Sequence, residues 1–251
     1  MIELENVTRR YGAKVAVDNL SLKIGEGELF AFLGPNGAGK TTTIKMLTGL
    51  LRPNSGAVRI GGVDAGVDPC QANRLTGYVP DQPFLYDKLT GREFLAFIAE
   101  MYGLEQDKTA QAIADQIENF ELHAFVDHLA ESYSHGMKQR LVFAAALIHR
   151  PKVLIVDEPM VGLDPRSMRL VKDLLRREAE QGATVFMSTH TLSVAEEIAD
   201  RIGVFQLGKV RFLGTVQELR SQLARDDNSL EQLFLELTSH EGDAVSTAQP
   251  E

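Results

Sequence analysis

The 251-residue sequence has one cysteine, Cys70, which excludes an internal disulfide, and no His or Cys cluster surrounds it to suggest a metal site. Long apolar runs are missing as well. The longest, Leu141 to Ile148, falls far short of the ~20 residues that a bilayer-crossing helix needs, so no direct membrane insertion is expected. The opening MIELENVTRR turns polar at its third position and lacks the apolar stretch of a secretory signal, which points to cytosolic residence. Positive charge is in the minority. Against 35 Asp and Glu stand 26 Lys and Arg, and the net −9 disfavours nonspecific attraction to nucleic acid or anionic lipid.

What is present is 44% hydrophobic and 24% charged residues, the balance of a globular chain able to bury a core. The length allows one large domain or two small ones, and the order of segments chooses between them. Four β-like pieces, Ile2 to Val7, Ala16 to Ile24, Glu28 to Leu33 and Ala57 to Ile60, fill the first sixty residues, with turns at Gly25-Glu26-Gly27 and Gly61-Gly62. From about Phe84 to Glu131 the pattern is helical. Gly91 to Tyr102 sets Phe94, Phe97, Ile98 and Met101 on one face, and Ala110 to Phe120 does the same with Ile113, Ile117 and Phe120. Alternation then returns, with helices expected over Met137 to His149, Arg166 to Gln181 and Leu192 to Ala199. Between and after them come the apolar runs Val153 to Val156 and Thr184 to Met187 and the strand-like Gly203 to Phe205 and Val210 to Leu213. Such alternation predicts a parallel sheet covered on both faces, hence one α/β core interrupted by a helical insertion. Near the end, Ser229 to Thr238 places Leu230, Leu233, Phe234 and Leu237 at helical spacing and is expected to dock on the core, with a fraying polar tail after Ser239.

The run Gly34-Pro35-Asn36-Gly37-Ala38-Gly39-Lys40-Thr41 fits the phosphate-binding pattern GxxxxGK[ST], between an expected strand and a helix over TTTIKMLTGLL that should end near Arg52-Pro53. Glycines let backbone N–H groups turn toward phosphates, Lys40 reaches the terminal phosphates, and the Thr41 hydroxyl suits magnesium. A second element, Val153-Leu154-Ile155-Val156-Asp157-Glu158, is an apolar strand ending in two carboxylates, at the edge where open parallel sheets bind ligands. There Asp157 would hold magnesium and Glu158 would polarise an attacking water.

The ordered motifs GPNGAGKTT, YSHGMKQR, VLIVDEP, GLDP and STH resemble the ATP-binding subunit of ATP-binding cassette (ABC) transporters, over Ile2 to about Leu223. The resemblance implies a P-loop NTPase core with an N-terminal β-subdomain and an inserted α-helical subdomain at about 84–135, one ATPase domain over 1–224, and a short helix and tail over 225–251. It also implies ATP and Mg2+ as cofactors. The nucleotide contacts implied are Gly34 to Thr41, Thr42, an adenine-stacking Tyr11 and Val17 at the base edge, with Lys40, Glu158 and His190 catalytic.

Other residues are placed in coupling roles by the same resemblance. Ser134, His135, Gly136 and Met137 stand where the family's signature loop faces the nucleotide of a second cassette, with His and Met as departures from LSGGQ. One cradle and one signature per chain therefore imply a head-to-tail pair, as homodimer or heterodimer, with ATP between the subunits. Asp164 matches the loop that communicates across that pair. After Tyr78-Val79-Pro80 the family usually has Gln, but here Asp81 comes first and Gln82 follows, leaving either to face the metal alongside Thr41 and Asp157. Tyr78-Val79-Pro80-Asp81, Leu85 to Thr90 and YSHGMKQR together resemble the exporter branch whose permeases are separate membrane chains. Cytoplasmic residence, peripheral at the inner membrane face through that permease, follows from the resemblance. A soluble cassette ATPase of translation or DNA repair usually has paired cassettes, long coiled-coil insertions or basic arms, none of which is seen. A catalytically weak partner of a heterodimer is opposed by Glu158 and His190.

Overall fold

The structure, a computed structural model, describes residues 1–223; the expected helix at 229–238 and the tail lie outside the described residues. In chain order the elements are β1 (Ile2–Tyr11), β2 (Lys14–Ile24), β3 (Leu29–Leu33), α1 (Lys40–Leu47), β4 (Ser55–Ile60), β5 (Val63–Asp64), α2 (Pro69–Arg74) and β6 (Thr76–Val79). There follow α3 (Gly91–Met101), α4 (Gln106–Asn119), α5 (His135–Leu147), β7 (Val153–Asp157), α6 (Pro165–Glu180), β8 (Thr184–Thr189), α7 (Leu192–Ile198), β9 (Arg201–Gln206), β10 (Lys209–Gly214) and α8 (Val216–Leu223).

The alternating strands at the start pair antiparallel in the order β2-β1-β4-β5. The larger sheet runs β10-β9-β3-β8-β7-β6, parallel from β9 to β6 with β10 antiparallel at one edge. Strands β3, β7 and β8 are buried at every position, as expected of a sheet covered on both faces. Successive side chains on these strands go to opposite cores. Phe30, Phe32, Ile155 and Phe186 pack with Phe205, α1 and the antiparallel sheet, whereas Ala31, Leu33, Val156 and Met187 pack with α5, α6 and the inserted helices.

The insertion is tied to the core through α5. The buried Tyr133 hydroxyl accepts the Gly91 N–H at 3.1 Å and donates to the Phe125 carbonyl at 2.8 Å, and a Cβ on Gly91 would lie 2.7 Å from that oxygen. Arg140 donates to the Phe120 and Glu121 carbonyls, closing the C-terminus of α4.

Two sequence expectations are corrected, and three elements arise that the pattern does not foretell. Helix α3 buries Gly91, Phe94, Leu95 and Ala99 and leaves Phe97 and Met101 exposed. Small residues mark its inner face, where backbones approach closely, and apolar counting overlooks them. Helix α1 stops at Leu47, well before Arg52, because Gly49 adopts φ +70 and ends the turn. Strand β6, helix α2 and helix α8 have no counterpart in the sequence pattern. Strand β6 is only TGYV, and its Gly77 is held so close to α5 that a Cβ would lie 2.4 Å from the Ala146 carbonyl.

Candidate functional site

Parallel pairing brings the C-terminal ends of β6, β7, β8 and β3 to one edge, in that order. Register aligns Val79 with Val156, Asp157 with Ser188, and Leu33 with Thr189. The residues that follow each strand, Asp81 and Gln82, Glu158, His190 and the Gly34–Gly39 loop, therefore share a sheet edge although they come from four separate parts of the chain.

The glycines of the loop are dictated by the backbone. A Cβ at Gly34 would meet the Phe205 carbonyl at 2.2 Å, and at Gly39, with φ +112, the Ala16 carbonyl at 2.3 Å. The turn positions Ala38 inward, and Pro35, Asn36 and Gly37 form its outer rim, followed by exposed Thr41 and partly buried Thr42. Lys40, at the start of α1 and 5% exposed, donates to the Gly34 carbonyl at 2.6 Å and lies 3.3 Å from Glu158 Oε1. A buried ammonium held this way has its charge partly offset by carbonyls and a carboxylate, a cation poised for phosphate.

Glu158 is a hub. Its backbone sits at φ +47, a left-handed conformation strained for a glutamate, with its N–H given to Ser188 Oγ at 3.0 Å. The other carboxylate oxygen, Oε2, is 2.9 Å from His190 Nδ1 and accepts the His190 N–H at 3.3 Å. Ser188 also donates to Asp157 Oδ1 at 2.5 Å. It was missed in the sequence, though it stands in the STH motif two residues before His190. Asp157 is 1% exposed and its Oδ2 has no partner. Burial pushes its carboxyl above the ordinary range, opposed by the Ser188 bond and reinforced by the charges of Asp81 and Glu158. Tyr78, on β6, is pushed up to about 12 by burial, then by Asp157 and Asp81. Asp81 and Gln82 are both exposed, and Asp81 Oδ1 accepts the Gln82 N–H at 2.9 Å.

Other expected residues form no hydrogen bond or ion pair with this hub among the described residues. Ser134 caps α5 by accepting the Met137 N–H, and His135 packs toward Gly162, its Nε2 being 3.4 Å from where a Gly162 Cβ would lie. Gly136 and Met137 are partly buried beside them. Asp164 caps α6, accepting the N–H groups of Arg166 and Ser167 and the Ser167 hydroxyl at 2.6 Å, which hold its carboxyl below the usual range. Tyr11 is 47% exposed with the Arg9 guanidinium 4.9 Å over its ring, a partner that the sequence reading overlooked. Val17 is a correction: it is 0% exposed and packed in the aromatic core, so it presents no side-chain surface for a base edge.

A family model described as "ABC transporter" matches residues 17–161. The linearmycin resistance ATP-binding protein LnrL of Bacillus subtilis is 38% identical over 226 residues, which cover 90% of this chain and 73% of that one. A solved ATP-binding subunit of an ABC transporter superposes with a TM-score of 0.87 at 32% identity, covering 94% of this chain and 99% of the other. A second, the ATP-binding cassette MJ0796 solved as a dimer in a post-hydrolysis state with ADP and Pi, gives 0.75 at 28% identity over 86% of this chain and 99% of its own.

Proposed function

The chain belongs to the ABC transporter family as an ATP-binding, ATP-hydrolysing subunit, and from that premise we propose that it powers export through a separate membrane permease. The observation carrying the catalytic assignment is the continuous contact chain Lys40–Glu158–His190 at the sheet edge. In this arrangement Lys40 neutralises Glu158. Phosphates entering the glycine cradle would draw Lys40 away and free the carboxylate to take a proton from the attacking water, while His190 keeps it oriented. Tyr11 would stack on the adenine.

Magnesium fits the residues present. The buried, unpartnered Asp157 Oδ2 and the exposed Thr41 would hold it, with Asp81, whose charge Asp157 feels, nearer to the role than Gln82. Among the described residues no three His, Cys, Asp or Glu side chains gather as a metal site, so the nucleotide's phosphates would complete the shell. The ion supplies charge neutralisation for the transferring phosphoryl group.

Among the described residues, Ser134 to Met137 and Asp164 form no hydrogen bond or ion pair with Lys40, Glu158 or His190, and their contacts are local caps, which supports a head-to-tail pair in which each subunit completes its partner's cradle. Among the described residues no helix is long and apolar enough to cross a membrane, so anchoring would be delegated to the permease at the cytoplasmic face. Its docking surface is best supplied by the exposed Phe84, Tyr86, Phe97 and Met101, where Tyr86 meets Phe84 and Phe97 edge-on at 5.8 and 5.7 Å. Glu158→Gln tests the assignment. ATP binding should persist, turnover should fall at least about a hundredfold, and light scattering should show an ATP-dependent dimer; retained turnover would overturn the role of Glu158.

A further inference from the structure

At the opposite edge of the larger sheet from Lys40, where β7 and β8 begin, a cavity of about 490 Å³ opens between α4 of the insertion and the C-terminal end of α6. This volume lies in the range of small-ligand sites. Its chemistry is unbalanced in a specific way. Gln116 is 8% exposed, lines the cavity, and leaves its Oε1 without a partner, an arrangement that is costly unless a donor reaches it. Lys152 and Arg177 on the same lining have no ion pair or side-chain hydrogen bond among the described residues, whereas Arg150 is paired with Asp115 at 3.5 Å. The remaining acid, Glu178, is partly buried, and desolvation, opposed by Arg177, holds its carboxyl above the ordinary range.

We propose that this cavity binds a small hydroxylated anion, a phosphate ester or hydroxycarboxylate, with its charge on Lys152 and Arg177 and its hydroxyl donated to Gln116 Oε1. Two unpaired cations around a buried acceptor select for a molecule with both a negative group and a donor; a bare anion leaves Gln116 unsatisfied, and a neutral polyol leaves the cations unused. Because the cavity joins the helical insertion to the core, its occupant bridges the two.

Isothermal titration of the full chain, with ADP and magnesium in excess to fill the nucleotide cradle, decides the matter with four probes. Glycerol 3-phosphate and lactate carry both features, sulfate lacks the hydroxyl, and glycerol lacks the charge. At least one of the first two should saturate a single site, with sulfate at least tenfold weaker and glycerol silent. Arg177→Ala should weaken that binding at least tenfold, and Gln116→Leu should abolish the preference over sulfate. Lys152→Ala, an exposed substitution, supplies the second test of affinity if Gln116→Leu does not fold. No binding by either hydroxylated anion, sulfate binding as tightly, or affinity unchanged in the variants would each overturn the proposal. None of these residues belongs to the nucleotide site, so this outcome is independent of the transport assignment.

Discussion

A single methyl group discriminates the glycines of the phosphate loop. Gly37→Ala enters open space at φ +82 and should cost about 1 kcal/mol through backbone strain alone. Gly39→Ala adds a Cβ 2.3 Å from the Ala16 carbonyl, and should cost at least ~3 kcal/mol as strand and loop are forced apart. Urea denaturation of the two variants checks the order. The same sensitivity applies to Ser188, which is fully buried and bonds both Asp157 and the Glu158 backbone. Ser188→Ala should lose about 1–3 kcal/mol of stability, and ATPase activity should fall as Glu158 loses its support. These constraints were half legible: the pattern GxxxxGK[ST] marks the loop, but the carbonyls that make glycine necessary at 34 and 39 come from residues 205 and 16.

Helices and strands respond to their surroundings in ways that periodicity did not report. His149, just beyond α5, stacks on Tyr102 at the end of α3, with ring centroids 3.6 Å apart. Burial lowers its pKa from 6.5 to about 4. The folded form therefore keeps the ring neutral, while between those values the unfolded chain takes up a proton. Stability should be full above pH 6.5 and decline by up to about 3 kcal/mol as pH falls toward 4. His149→Phe preserves the stack and removes the titration, so denaturation midpoints across that window should flatten. On the other side of α3, Phe97→Ser and Met101→Gln should leave the stability of the isolated chain within about 1 kcal/mol, since both side chains are exposed. Permease-coupled transport should fall in those variants while basal ATPase activity persists, as vesicle transport and phosphate release would measure. Apolar spacing located α3 and its buried Phe94 and partly buried Ile98 but turned the face too far toward Phe97 and Met101, because Gly91 faces inward through its close approach to Tyr133 and Leu141 of α5 rather than through hydrophobicity.

Across the whole molecule, the nucleotide cradle and the signature segment belong to separate groups, so one chain is expected to hold ATP without completing the site. Mixing Ser134→Arg chains with Glu158→Gln chains tests this. The Glu158→Gln homodimer should form with ATP, the Ser134→Arg homodimer should not, and sedimentation should find mixed pairs of intermediate stability. Order and chemistry of the motifs were readable in the chain because a phosphate cradle and a strand ending in two carboxylates are local patterns, each set by a few adjacent residues. So was the parallel core, since β3 and the runs Val153 to Val156 and Val185 to Met187 are apolar. What only the tertiary structure decided is which groups meet. Strand β6 was too short and too poor in alternation to be read, yet its pairing with β7 brings Asp81 toward Asp157. Likewise, the contacts from Glu158 to Lys40 and His190 depend on sheet order and register, which are set by pairing between residues from 31 positions apart, as Val153 with Thr184, to 156 apart, as Leu29 with Val185, and no local pattern encodes such a sum of distant contacts.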